Sequence, residues 1–296
     1  MGGAARPLRR VAGLSLALVR ALPRRAVSRA MGWLAELPVP APLLVPVLNA
    51  YVKAFGADLS EAARPLRGYA SFNDFFTREL RDGLRPIDLA PTSLVSPVDG
   101  RVYASGDVDE GTILQAKGVP YRVADLLGDD GDAARFDGGT FVTCYLAPRD
   151  YHRIHWPFDG TVDRIRHLPG DLWPVNDRAL AGVPRLFARN ERVAILGRLT
   201  GGGDVALVPV GALNVGSIRL AFHQLRTNRG GSDAPRAASF HPPVAARRGA
   251  EAARFAFGSA VVLLVARSAG RLDPLPSGAV VRYGCRIGTA VLAAAD

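Results

Sequence analysis

The stretch LVSPVDGRVYAS, residues 94–105, decides the architecture, because the texture of the chain changes there. Downstream, short β-branched runs alternate with Gly, Pro and Asp turns, which predicts strands over 101–105, 140–146, 160–167, 192–196, 204–210, 217–222, 260–265 and 278–283. Strands at this spacing indicate a β-rich core, closed as a barrel or packed as a sandwich. Inside the stretch, Pro97-Val98-Asp99-Gly100-Arg101-Val102 is echoed sixty positions on by Pro157-Phe158-Asp159-Gly160-Thr161-Val162. Pro-x-Asp-Gly before a strand is a turn signature. Two copies suggest a duplicated unit; the alternative is two tight turns that coincide. The Gly-, Pro-, Ser- and Arg-rich segment 226–243 reads as an exposed loop.

Upstream of residue 94 the signals are helical. A helix is expected over 43–55, with helix signals again at 59–63. SFNDFFTREL, 71–80, reads as a helix with Ser71 as N-cap and Asp74 at N3, close to a capping box. The expected fold class is α+β and mainly β. It divides into a basic, apolar N-terminal arm (1–42), a helical region (43–93) and the β-rich core (94–296). The 296 residues, 48% hydrophobic and 22% charged, exclude disordered, collagen-like and disulfide-scaffold classes. No apolar run reaches the length of a spanning helix.

The net charge of +10 is unevenly spread. Arg6, Arg9, Arg10, Arg20, Arg24, Arg25 and Arg29 give residues 1–30 a charge of +7 with no acid, so the remaining 30 basic and 27 acidic side chains give +3. A nearly neutral body argues against a nucleic-acid partner. On a helical wheel Arg6, Arg9, Arg10, Arg20 and Arg24 share one side, and Leu8, Val11, Leu18, Val19 and Leu22 the other. That is the pattern of a helix lying in a membrane interface, broken at Pro23. A secretory signal, a mitochondrial presequence and a solvated tail are the competing readings.

Few residues carry chemistry. Tyr151-His152-Arg153-Ile154-His155 sets two histidines three apart, on one face of a helix but not of a strand. H-x-x-H without a third ligand is a weak metal signal, and no metal is expected. Cys144 and Cys285 form no C-x-x-C and suggest buried thiols or a reducing compartment. Gly258-Ser259 interrupts an apolar strand, where a buried hydroxyl needs a partner. The ordinary reading is a bulge with a bonded serine; the functional one is a serine poised to attack the preceding carbonyl. Asp99 in its turn is ordinarily an Asx-turn.

Five blocks in order, SFNDFFTREL at 71–80, SPVDGRV at 96–102, YHRIHWPFDG at 151–160, VGALNVGSI at 210–218 and RRGAEAARFAFGSAVVLL at 247–264, resemble the pyruvoyl-dependent phosphatidylserine decarboxylases. The likeness spans roughly 45–290. The chain departs from the family's Leu-Gly-Ser-Thr or Leu-Gly-Ser-Ser with Phe257-Gly258-Ser259-Ala260, losing the hydroxyl after the serine, and has Glu251-Ala252-Ala253 in place of Glu-Met-Gly.

The resemblance implies self-cleavage between Gly258 and Ser259 into a β chain, 1–258, and an α chain, 259–296, capped by a covalent pyruvoyl group derived from Ser259. It implies His155 as the base, oriented by Asp99, in a triad with Ser259. It further implies that the pyruvoyl ketone forms a Schiff base with phosphatidylserine, that CO₂ leaves, and that His152 is the candidate acid in forming phosphatidylethanolamine. The implied partners are phosphatidylserine, an anionic membrane surface and the two cleaved chains; a homo-oligomer is left open. The implied location is peripheral, on the cytoplasmic face of the cell membrane. Two other readings compete. One is a Ser-His-Asp hydrolase with intact Ser259, weakened by the missing G-x-S-x-G elbow. The other is a lipid-binding module that has lost self-processing.

Overall fold

The structure, a computed structural model, describes residues 16–115, 118–213, 217–228, 234–256 and 260–291. The chain opens with α1 (Leu16–Ala21), α2 (Arg24–Glu36) and α3 (Ala41–Phe55). As expected, Pro23 separates the first two, and α3 ends on Gly56 in the left-handed conformation. The arm does not turn all its arginines outward. Arg24 forks onto Asp171 at 2.6 and 2.8 Å and lies over the Trp173 ring at 4.0 Å, and Arg25 donates to the Gly170 carbonyl. A guanidinium stacked and paired in this way fastens the arm to the body. The remainder of the predicted amphipathic helix, 1–15, lies outside the described residues.

The helix expected over 71–80 is confined to α4 (Phe72–Phe76). Ser71 caps it by accepting from the Asp74 amide, but Asp74 turns back to the Ala70 amide and the Arg64 guanidinium. The chain then runs extended, Leu80 bridging Ala62, so the helix signal at 59–63 gives way to a bridge. Leu44, Leu48, Tyr69 and Phe75 form a small core of their own under these elements.

The strands follow. They are β1 (Ser93–Val95), β2 (Gly100–Asp107), β3 (Thr112–Gln115), β4 (Val119–Arg122), β5 (Thr140–Tyr145), β6 (Arg153–His155), β7 (Gly160–Leu168), β8 (Arg192–Leu199), β9 (Asp204–Val210), β10 (Ser217–Leu220), β11 (Arg236–Ala246), β12 (Glu251–Ala256), β13 (Ala260–Val265), β14 (Gly270–Leu272), β15 (Val280–Val281) and β16 (Arg286–Ala290). Eight make one antiparallel sheet in the order β11-β7-β8-β9-β13-β5-β2-β15. The orders β10-β12-β6 and β14-β16-β1 make two smaller sheets. Among the described residues no barrel closes. β13 is central, and its apolar AVVLLV is buried at every position, as a strand covered on both faces requires.

The segment read as a loop over 226–243 contains most of β11. Composition misled here because β11 is an edge strand. Its pairing with β7 lapses between Ser239 and Val244, the interval that holds Pro242 and Pro243, where no ladder N–H is needed.

The sheet order reads the same from both ends, and the registers match. β2 pairs β5 through Arg101↔Tyr145 with an irregularity between Val102 and Ala104; β7 pairs β8 through Thr161↔Arg198 with one between Val162 and Arg164. Val95↔Arg286 corresponds to His155↔Glu251. Gly100 and Gly160 each lie against the neighbouring strand, where a Cβ would meet Tyr145 O at 2.6 Å and Arg198 O at 2.0 Å. The Pro-x-Asp-Gly echo is therefore a structural duplication.

Candidate active site

Residues 257–259 lie outside the described residues, Gly258 and Ser259 among them, so the site is built from what flanks them. On one side β12 ends at Ala256, and the Phe255 amide donates to the His152 carbonyl at 3.1 Å. On the other, β13 begins at Ala260, opposite Tyr145 of β5 and Val210 of β9. Tyr145 in turn faces Arg101 of β2, two residues after Asp99. The smaller sheet thus sets His152 beside the end of β12 and the large sheet sets Asp99 near the start of β13, the strands that lead into and out of 257–259, whereas His155 pairs with Glu251 at the other end of β12.

His155 ends β6 and pairs with Glu251 of β12. Its Nδ1 lies 2.7 Å from the Gly249 carbonyl and its Nε2 2.9 Å from the Tyr151 hydroxyl. A carbonyl only accepts, so Nδ1 carries the proton and Nε2 presents its lone pair to the Tyr151 O–H. Burial pushes the Tyr151 phenol up, which keeps it protonated. Burial likewise holds His155 below the ordinary imidazole range, so the ring is neutral at pH 7. This is the tautomer and charge state of a general base.

Asp99 does not touch His155. Its carboxylate is held by Arg85, through Nη2 at 2.6 Å and Nε at 2.9 Å, and by the Tyr283 amide at 2.9 Å. Arg85 also pairs with Glu61 at 2.7 Å. Burial opposes the Arg85 charge, but the Asp99 and Glu61 carboxylates outweigh it and raise its pKa. The contact between Asp99 and His155 runs through Tyr283, whose ring stacks on His155 at 3.9 Å and 8°. The orienting bond expected from Asp99 is supplied by Gly249, which already occupies Nδ1.

His152 lies just before β6, and its ring is buried on another side, stacked on Phe76 at 4.0 Å. Neither ring nitrogen makes a well-formed hydrogen bond. Burial, reinforced by the Arg78 charge and only weakly opposed by the Ala147 and Pro148 carbonyls, drives its pKa down to about 3. The two histidines therefore do not share a ligand-like face, as the extended conformation dictates. Among the described residues no group of three or more His, Cys, Asp or Glu side chains is placed to hold a metal.

Sequence reading passed over Arg85, Glu61, Gly249 and Tyr283, and the roles of Tyr151 and Arg78. Only Tyr151 carried a signal, its place beside the histidine pair. The two cysteines are unpaired, and burial pushes the Cys144 thiol up to about 12.

A family model described as Phosphatidylserine decarboxylase matches residues 72–289. Among curated relatives, the Phosphatidylserine decarboxylase proenzyme of Anaeromyxobacter sp. (strain K) is 43% identical over 281 residues, covering 94% of this chain and 98% of its own length. Those of Myxococcus xanthus (strain DK1622) and Acidovorax ebreus (strain TPSY) are 42% identical over 272 residues and 47% over 257. They cover 92% and 86% of this chain and 96% and 89% of their own lengths.

Proposed function

The chain belongs to the phosphatidylserine decarboxylase family, and we propose that the site above is where it matures itself and decarboxylates its substrate. It is a proenzyme that converts phosphatidylserine to phosphatidylethanolamine with a pyruvoyl group made from its own serine. The observation that carries the assignment of roles is His155, a neutral buried imidazole with its Nε2 lone pair fixed by the Gly249 and Tyr151 bonds.

In maturation the Ser259 hydroxyl is a weak nucleophile until a base takes its proton. His155 Nε2 is that base; Tyr151 either yields its place at the lone pair or passes the proton on. Ser259 Oγ adds to the Gly258 carbonyl and the Gly258–Ser259 C–N bond breaks, leaving an ester. Loss of the residue-259 α-proton then breaks the Cβ–O bond. This releases a carboxylate on Gly258 and leaves dehydroalanine, which takes up water and loses ammonia to become pyruvoyl. Asp99, Arg85 and Tyr283 position the base by fixing the wall against which its ring stacks. Ala260, fully buried between two strands, offers no hydroxyl to assist.

The pyruvoyl group supplies a ketone that serves as an electron sink for decarboxylation. The chemistry of His152 and Phe76 fits such a group. His152 offers a buried imidazole whose nitrogens make no well-formed hydrogen bond among the described residues, and Phe76 covers its face. His152 is the residue we assign to return a proton to the substrate α-carbon. An anionic substrate arriving beside it favours the protonated ring that burial alone disfavours.

The lipid stays in a membrane. No described helix is long and apolar enough to cross one, but α2 and α3 expose Trp33 (61%), Leu34 (56%), Leu43 (67%) and Val47 (54%). We assign this apolar surface, with the basic arm, to peripheral docking on anionic lipid at the cytoplasmic face. α3 ends at Gly56, on the rim of the cavity that holds Asp99.

Denaturing electrophoresis with intact mass tests maturation: wild type gives two chains, Ser259→Ala one. A wild-type chain that decarboxylates while uncleaved sinks the reading, and an uncleaved chain that releases no CO₂ favours a hydrolase or a processing-dead lipid binder. Flotation with anionic and neutral liposomes tests docking. Equal recovery of wild type and Trp33→Ser/Leu43→Ser on anionic vesicles rejects the assigned surface.

A further inference from the structure

A cavity of about 450 Å³ opens beside the start of β13. Tyr145 lies in its wall and is the pairing partner of Ala260, so the cavity adjoins the position where the α chain begins. Arg85 and Asp99 also line it but are paired with each other. Arg78 is different. It is 3% exposed and lines the cavity, yet among the described residues its Nε and Nη1 have no hydrogen-bond partner. Only Nη2 is bonded, to the Arg149 carbonyl at 3.0 Å and more weakly to that of Asp150, and the guanidinium stands 5.2 Å over the Phe75 ring. A buried cation with two idle nitrogens is costly unless something anionic completes it.

We propose that Arg78 receives the phosphodiester of the substrate headgroup in this cavity. The proposal rests on the decarboxylase reading and adds to it the residue that recognises the lipid's phosphate. The substrate carries two anions, and the chemistry chooses between them. A fixed cation on the carboxylate would stabilise the charge that leaves as CO₂ and so favour the ground state. The phosphodiester keeps its charge throughout, and a guanidinium fork matches its two free oxygens. Arg78 lies two residues after Phe76, the ring stacked on His152, so an anion held there lies close to the second histidine.

The test uses the full chain, as wild type, Arg78→Gln and Arg78→Lys, each first checked for cleavage into two chains. Both variants are expected to cleave. On phosphatidylserine in mixed micelles, Arg78→Gln is expected to raise KM about 10- to 100-fold with a smaller fall in kcat, and Arg78→Lys to recover part of the loss. Competition then identifies the anion. Glycerophosphoserine and glycerophosphoethanolamine should inhibit wild type and lose the same factor in Arg78→Gln, while serine and ethanolamine show no dependence on residue 78. A loss confined to glycerophosphoserine would place the carboxylate on Arg78 and overturn the proposal. Inorganic phosphate competing as well as the diesters, with the same loss, would make this a free-phosphate site and overturn it too. A structural arginine predicts a lowered Tm and unchanged KM, whereas a receptor emptied of its unpaired charge predicts a Tm no lower than wild type. If Arg78→Gln does not fold, Arg78→Lys and wild type decide through the same inhibitor series. A wild-type chain that never cleaves refutes the decarboxylase reading itself, a result separate from any behaviour of Arg78.

Discussion

The half of the core built on β1, β2 and β5 and the half built on β6, β7 and β8 share a backbone plan but not a chemistry. Asp99 accepts from the Tyr283 amide, and Asp159 accepts from the Arg248 amide at the matching register, both at 2.9 Å. The Gly284 amide donates to Ser96 O as the Gly249 amide does to Trp156 O. The halves also grip each other reciprocally, Val95 N on Pro157 O and His155 N on Pro97 O. Where one half has His155 the other has Val95, and His152 is matched by Thr92. Ala260 and Asp204 hold equivalent positions on β13 and β9, so Ser259 is matched in sequence by Gly203. A turn that serves hydrogen bonding alone needs only Asp and Gly. In the proposed mechanism Asp99 and Ser259, which precedes β13 in sequence, come from one copy and His152 and His155 from the other, across their shared boundary.

Substitutions that give one half the residues of the other probe this division. The largest effect is expected for His155→Val, the residue at the matching site. Losing a positioned base should slow self-cleavage about 10²- to 10⁴-fold, read as the uncleaved fraction over time. Cleavage at the wild-type rate would remove His155 from the mechanism. A second comparison sets Asp99→Asn against Asp159→Asn. Asp99 is buried on Arg85, so its loss should cost about 1–3 kcal/mol and slow cleavage through the displaced Tyr283 wall. Asp159 is exposed, and its loss should cost under about 1 kcal/mol with cleavage unchanged. Equal effects would mean that both turns are purely structural.

A third probe is a pH dependence of stability. His152 is pushed down to about 3 in the folded chain, so between that pH and the unfolded value near 6.5 the unfolded chain binds more protons. Stability should therefore rise with pH across this window, by up to about 1.4 kcal/mol per unit from this group, and level off above it. His152→Thr should flatten that slope in denaturant titrations at pH 4 to 7; an unchanged slope would locate the acid sensitivity elsewhere.

Legibility followed the same physical divide. Strands with continuous apolar or alternating patterns were read closely, 204–210 and 260–265 to the residue, because burial on a sheet dictates them locally. β11 was missed, since an edge strand tolerates the prolines that signal a loop. The 71–80 helix was overextended because Glu79 and Leu80 leave the helix for contacts with Ala63 and Ala62 that lie outside any local window. Among candidate site residues, Asp99, His152, His155 and Ser259 carried motif signals. Arg85, Glu61, Tyr283 and Arg78 did not, since their roles come from partners distant in the chain.

By itself, then, the sequence determined the fold class, the repeated Pro-x-Asp-Gly motif and the family, because turn geometry, strand periodicity and motif spacing are written in neighbouring residues, while the strand registers decided that the repeat is a structural duplication. Only the tertiary structure decided that Gly249 rather than Asp99 bonds the His155 ring, that Asp99 reaches that ring only by way of Tyr283, and that Arg78 lies buried with two nitrogens unbonded among the described residues. Hydrogen-bond partners, burial and the pKa shifts they cause are properties of the packed neighbourhood, and no single stretch of chain contains it.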